Sequence, residues 1–259
     1  MLILLPPSEG KSAPRRGKPL DLDTLSSPGL TPARDAVLNA LVELSSGDAE
    51  HAARVLNVPR TQPGLVDLDA RVRTSPTARA EAVYAGVLYE ALDLPTLSTA
   101  ARRRATSRLL VTSSLFGLVA PGDRIPAYRL SGDAVLPGLG SVAGHWRAHL
   151  DVPLSETLGD GLLVDLRSST YAAFWRPPAR LATRVATVRV LHESDGRRAV
   201  VSHFNKATKG RIVRQLLEDG ARPRTPSRLA EDLTRLGWRV EVGPPSARGT
   251  QLDVVVDAL

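Results

Sequence analysis

Four short apolar runs in this chain each end in a polar cluster. Leu2 to Leu5 lead into Pro6-Pro7-Ser8-Glu9-Gly10-Lys11, and Leu109-Leu110-Val111 lead into a turn-rich stretch, Ser113 to Leu130, that carries Phe116-Gly117, Asp123 and Tyr128-Arg129. Leu162-Leu163-Val164 lead into Asp165 to Tyr171, and Ala199-Val200-Val201 into Ser202 to Lys206. Runs this short, bounded by serine, proline or polar residues, predict buried strands rather than helices. Ligands of mixed α/β sheets gather at the carboxyl ends of strands, so the four ends predict one shared site.

Elsewhere the pattern turns helical. Thr31-Pro32, followed by Ala36, Val37, Ala40, Leu41 and Leu44, predicts a helix that starts at a cap and a first-turn proline and stops at Gly47. Asp48 caps a second helix, through Leu56, and residues 60–74 read as a loop. Ser75-Pro76 opens a third helix with an apolar face from Ala80 to Leu92; Gly86 within it costs about 1 kcal/mol against alanine, a sign of close packing or a ligand. Ser98 to Ser107 forms another, and Leu136-Pro137-Gly138-Leu139-Gly140 is a glycine turn into a helix through Val142, Trp146 and Leu150. Arg184 to His192 and Arg198 to Phe204 predict a hairpin around Ser194-Asp195-Gly196. Helices from about Ala207 to Leu217 and from Pro226 to Gly237 follow, and then an antiparallel pair, Trp238 to Val242 with Leu252 to Val256. With no repeat, low-complexity tract or linker, the expectation is a single domain, 1–259, of mixed α/β (α+β) type with a central mixed sheet flanked by helices.

The composition, 42% hydrophobic and 24% charged, is that of a globular chain. No apolar run approaches bilayer length, and Leu2 to Leu5 lack the basic lead and long core of a signal peptide, so a soluble, cytoplasmic protein with no membrane partner is expected. The absence of cysteine excludes disulfides, thiolate nucleophiles and cysteine-ligated metals. His145 and His149, four apart, read as a half-buried helical pair, and neither a metal site nor a cofactor is expected.

Charge changes the picture more. The net charge is +7, and the segment from Arg197 to Arg228 alone holds nine cations against Glu218 and Asp219. So local an excess predicts a surface facing a polyanion, nucleic acid first. Only 4% of residues are aromatic, which argues against a stacking platform for single strands and favours double-stranded DNA. Lysine is scarce: Lys11, Lys18, Lys206 and Lys209 stand among 34 cations, which suits positions that need a compact charge or a tunable amine. Ser8-Glu9-Gly10-Lys11-Ser12 is no nucleotide P-loop, because Leu5 stands where the first glycine belongs and Pro14 opposes the helix that should follow. Ser8 and Lys11 remain candidates for holding an anion.

In the stretch Ser114-Leu115-Phe116-Gly117, Pro121, Asp123 and Tyr128-Arg129-Leu130, together with Leu4 to Lys11, Val83-Tyr84-Ala85-Gly86, Trp146, Leu166, Ser168, Tyr171, Lys206, Gly210 and Arg214, the chain resembles the YaaA family of bacterial peroxide-stress proteins, also called UPF0246 or DUF328. It departs from the family pattern at Phe116 (for tyrosine), at Ser131-Gly132-Asp133, at Arg167, Ser169 and Thr170 (for Ala-Asp-Glu), and at Lys206-Ala207-Thr208-Lys209-Gly210, which keeps two cations of three. The resemblance implies a compact mixed α/β fold of YaaA type with a basic cleft, binding of double-stranded DNA, and protection against oxidative DNA damage by lowering free iron.

Two functions compete. As a duplex-binding stress protein, the chain would meet DNA phosphates through Ser8, Lys11, Arg129, Lys206, Lys209, Arg211 and Arg214. As an enzyme on a nucleotide, a nucleobase or another anionic small molecule, it would clamp the anion with Arg129 and Lys206, use Asp123 as general base, and orient the substrate with Ser168 or Tyr128.

Overall fold

Leu2–Leu5 is buried along its whole length because it lies in the middle of a sheet, with a strand on each side. The computed structural model describes residues 1–257 apart from Arg60 and Asp195, and every side chain among them except those of Ser202 and His203. In chain order the strands are β1 (Leu2–Leu5), β2 (Ala78–Arg79), β3 (Leu109–Ser113), β4 (Gly117–Val119), β5 (Arg124–Ile125), β6 (Val135–Leu136), β7 (Gly140–Ser141), β8 (Leu163–Asp165), β9 (Val185–Ser194), β10 (Arg197–Ala199), β11 (Arg239–Ser246) and β12 (Gly249–Asp257). The main sheet has the order β11-β12-β9-β8-β1-β3-β4, with β10 on the far end of β9. From β12 to β3 every neighbouring pair is parallel, and the antiparallel β4 and β11 close the two edges. A central mixed sheet flanked by helices is therefore what forms. β1, β3 and β8 are apolar without alternation because both faces of an inner parallel strand are covered.

Helix starts follow the capping residues. α1 (Thr31–Ser46) carries its proline in the first turn and stops at Gly47; Leu30, not Thr31, occupies its N-cap. Asp48 accepts from the His51 amide to start α2 (Ala49–Val55), and Ser98 accepts from the Ala101 amide ahead of α6 (Thr99–Arg108).

Three expectations need correction. Residues 60–74 are not all loop, since α3 (Gly64–Ala70) forms there. The single helix expected from Ser75 to Leu92 is two, α4 (Ala80–Val83) and α5 (Val87–Leu92), because the chain extends at Tyr84 to bridge Lys11 and then turns at Gly86, whose φ of 89° only glycine adopts freely. The strand expected from Arg198 to Phe204 ends at Ala199: Val200 and Val201 are exposed, and α10 (Ser202–Asp219) starts well before the expected Ala207. Of the turn drawn there, Asp195 lies outside the described residues.

The turn after β3 is pinned from both sides. Ser113 Oγ accepts from the Phe116 amide, and the Trp146 indole on α7 (Val142–His149) donates to the Ser114 carbonyl at 2.6 Å. Gly117 has a φ of 70° and lies so close to the Trp146 ring that a Cβ would stand 2.6 Å from it. Arg34 of α1, fully buried, donates to the carbonyls of Ser26, Ser27, Phe116 and Leu118, and the nearby Asp123 carboxylate also favours its charge. On α7 the His145 ring meets the Ala33 carbonyl and His149 meets the carbonyl of His145.

α10 packs across α5 through Gly210, and this contact fixes the wall on which the pocket below is built. An alanine at position 210 would gain about 1 kcal/mol of helix propensity. Its Cβ, however, would stand 2.2 Å from the Leu88 carbonyl oxygen, and overpacking of that kind costs typically about 1–3 kcal/mol or more. Gly210→Ala is therefore expected to destabilise the protein, read as a lower urea midpoint at unchanged slope.

Candidate active site

The parallel strands place the loops after β1, β3 and β8 at one edge of the sheet, and these loops line a pocket of about 510 Å³. The first supplies Pro6 to Lys11; the excursion that leaves β3 supplies Arg129 to Ser131 only after passing through β4 and β5; and the third supplies Ser168, Thr170 and Tyr171, the last three around α9 (Ser169–Ala172). Ala85 to Tyr89 form another wall, where Gly86 breaks the helical path. The fourth run arrives from the opposite direction, through β10, yet the start of α10 brings Lys206 to the same pocket.

Lys11 sits inside. Its Nζ donates to the Ser8 carbonyl at 2.9 Å, reaches the Glu9 carbonyl at 3.5 Å, and lies 4.1 Å from the centre of the Tyr128 ring. Ser8 ties the loop down, accepting from the Ala85 amide while donating to the Gly10 carbonyl. Beneath the lysine runs a line of buried hydroxyls: Ser113 Oγ meets Tyr128 OH at 2.8 Å, and Tyr128 OH meets Tyr84 OH at 3.1 Å. Behind it Asp69, fully buried on α3, accepts the Arg129 amide through Oδ1 at 2.7 Å. Its Oδ2 and the Nε of Arg129 are both buried without a hydrogen bond among the described residues.

Residues 1–241 match the family described as "Peroxide stress protein YaaA". The chain belongs to that family. A UPF0246 protein of Streptomyces coelicolor is 53% identical over 258 residues, covering 99% of this chain and 98% of its own length. A UPF0246 protein of Corynebacterium efficiens is 39% identical over 244 residues, 93% of this chain and 95% of the relative.

The places where the chain departs from the YaaA pattern are structural in one case. Arg167 forms a buried two-point ion pair with Asp165, with contacts of 2.9 and 2.7 Å, and donates to the carbonyls of Tyr171 and Trp175, so it clamps the loop that carries Ser168. Other expected site residues are spent elsewhere. Asp123 is outside the pocket lining: its Oδ1 accepts from the amide and hydroxyl of Ser26, and its Oδ2 from the Ala120 amide. Tyr128 is buried within the hydroxyl line under Lys11. Lys209 is buried and donates to the Leu166 carbonyl at 3.0 Å. Arg214 donates to the carbonyls of Leu92 and Asp93, capping the carboxyl end of α5. Arg211 is exposed on α10 and, like Lys206, makes no hydrogen bond or ion pair among the described residues. Asp69 escaped the sequence reading altogether, since a lone aspartate in an apparent loop carries no signal until α3 is seen to pack it under Arg129.

Burial dominates the electrostatics. Desolvation, with Arg129 second, pushes Lys11 down from 10.5 to about 7, while Asp69 and Glu9 oppose it. Desolvation raises Asp69 from 3.8 to about 7 against the Arg129 amide, Lys11 and the Arg129 charge. It also raises Tyr84, Tyr128 and Tyr171, so their phenols stay neutral donors at physiological pH. No helix of the described residues is long and apolar enough to cross a membrane, and none of their His, Asp and Glu side chains group in threes that would hold a metal ion.

For Lys11 the sign is definite. Between about 7, its folded value, and 10.5, its unfolded one, the unfolded chain binds the additional proton, so stability gains a contribution that rises with pH through that interval. Lys11→Met is expected to remove the rise, measured as unfolding free energy against pH in urea for both proteins.

Proposed function

We propose that the pocket is the binding and reaction site for a small anionic molecule, nucleotide or nucleobase in size, and that the chain acts in peroxide stress as an enzyme on it. The convergence of Lys11, Arg129 and Lys206 on one enclosed pocket carries this reading. A volume of about 510 Å³ suits a nucleotide-sized ligand and is far smaller than a duplex requires. Arg129 lines the pocket, and its guanidinium offers an anionic group a charged, planar donor. Neutral phenols and Ser168 supply orienting hydrogen bonds, and Lys11, poised near neutrality, takes the acid–base role that Asp123, with both oxygens engaged, leaves open.

Duplex binding, which would shield DNA from oxidative damage, is the second reading, favoured by the exposed and uncommitted Lys206 and Arg211. These two stand five residues apart on α10, about 140° around the helix, so they do not form one row of phosphate contacts. Lys209 and Arg214 already hold the fold.

Calorimetric titration of the protein with mononucleotides, free bases and phosphorylated or carboxylated metabolites tests the first reading. At least one compound is expected to bind, about 10- to 100-fold more weakly to Arg129→Ala, the loss of one charge-assisted hydrogen bond. No binding to folded protein across the set would remove this reading. For the second, labelled duplex is titrated over a salt series. If the chain binds, Lys206→Ala with Arg211→Ala is expected to reduce the salt slope by about two, and an unchanged slope would place the contact elsewhere.

A further inference from the structure

We propose that Lys11 is a nucleophilic amine, which condenses with the carbonyl group of an anionic substrate held by Arg129 and joins it to the protein as an imine. The inference rests on the pocket being an anion site, and it adds the chemical class of the substrate: an aldehyde or ketone that also carries a phosphate or carboxylate.

The placement of the amine is the main argument. Nζ lies within the pocket, over the Tyr128 ring at 4.1 Å, anchored by one short hydrogen bond to the Ser8 carbonyl and by no carboxylate among the described residues. The Tyr128 face and the Ser8 carbonyl hold the amine in place and by themselves favour its charged form. Burial and the neighbouring Arg129 charge oppose them and favour the neutral amine, as activated lysines require. The shift of Lys11 to about 7 agrees, leaving roughly half of it unprotonated at neutral pH. The other three lysines lack one part each: Lys206 is exposed at the mouth, Lys18 is exposed outside the pocket, and Lys209 is buried away from it on the Leu166 carbonyl.

The step balances without a co-reactant. Neutral Nζ attacks the carbonyl carbon and loses a proton to solvent while the carbonyl oxygen gains one, giving a carbinolamine. Expulsion of that oxygen as water, with loss of the second nitrogen proton, forms the C=N bond. Arg129, which lines the pocket, holds the anionic end of the substrate, and the neutral phenol of Tyr128 beside Lys11 supplies no competing negative charge.

Reductive trapping tests this directly. The full chain is incubated with pyruvate, or separately with glycolaldehyde phosphate, and treated with borohydride. The four lysines are then compared by peptide mass spectrometry. The expected result is an adduct at Lys11 at least tenfold in excess of those at Lys18 and Lys206, and reduced at least tenfold by Arg129→Ala. Comparing lysines within one wild-type molecule keeps the test independent of whether a Lys11 variant folds. Adducts spread evenly over the exposed lysines would overturn the proposal. So would their absence while calorimetry shows the same anions binding in an Arg129-dependent way, an outcome that leaves the anion site standing. Failure of both trapping and binding would remove the two readings together.

Discussion

Parallel pairing is the constraint from which the rest follows. β1 is held between β3 and β8, all three running the same way, so the loops that leave them must open on a single edge of the sheet. Strands so short have little register of their own. Their burial on both faces fixes it, since a slip would trade the polar ends for core positions. Arg34 and Trp146 then lock the turn after β3, which leaves the Tyr128-Arg129 segment a defined path back toward β1.

The pocket concentrates positive charge in a place poor in water. Lys11 and Arg129 line it, and behind them the buried Asp69 has its own carboxyl pushed toward neutrality. Such an arrangement is costly for the protein, and under the proposed function a ligand of opposite sign would offset that cost. The cations outside it are mostly tied down: Arg167 to Asp165, Arg198 to Glu193 and Glu241, Arg214 to the end of α5. Formal charge counted along the sequence overstates what α10 offers to a partner.

Much of this was legible in the residues. Three of the four apolar runs are the buried strands β1, β3 and β8, and their polar ends pointed to the candidate pocket, because a buried strand must be apolar throughout and must shed its polar residues at its ends. Lys11, Arg129 and Ser168, singled out this way, line one pocket, which Lys206 reaches from the run that proved exposed. The sequence misled where local pattern and tertiary contact disagree. Val200 and Val201 read as a strand but face solvent, and the stripe from Ala80 to Leu92 hid the break at Gly86. Asp123 read as a candidate base, but its Oδ2 closes the local turn on the Ala120 amide, and the distant Ser26, folded against it, takes its Oδ1. Asp69 matters through Arg129, 60 residues away, and no local pattern reports such a pairing.

The line Ser113, Tyr128, Tyr84 holds three hydroxyl protons and two contacts between oxygens, while the Phe116 amide already donates to Ser113. The hydroxyls can therefore all point toward Tyr84, all toward Ser113, or from both ends toward Tyr128, and burial keeps the phenols from escaping the choice by ionising. Turning the hydroxyls over moves the unshared proton from one end to the other without any charge crossing the core. The string is a reorientable dipole, with its middle ring under Lys11 and its far end in the turn that Trp146 and Arg34 hold.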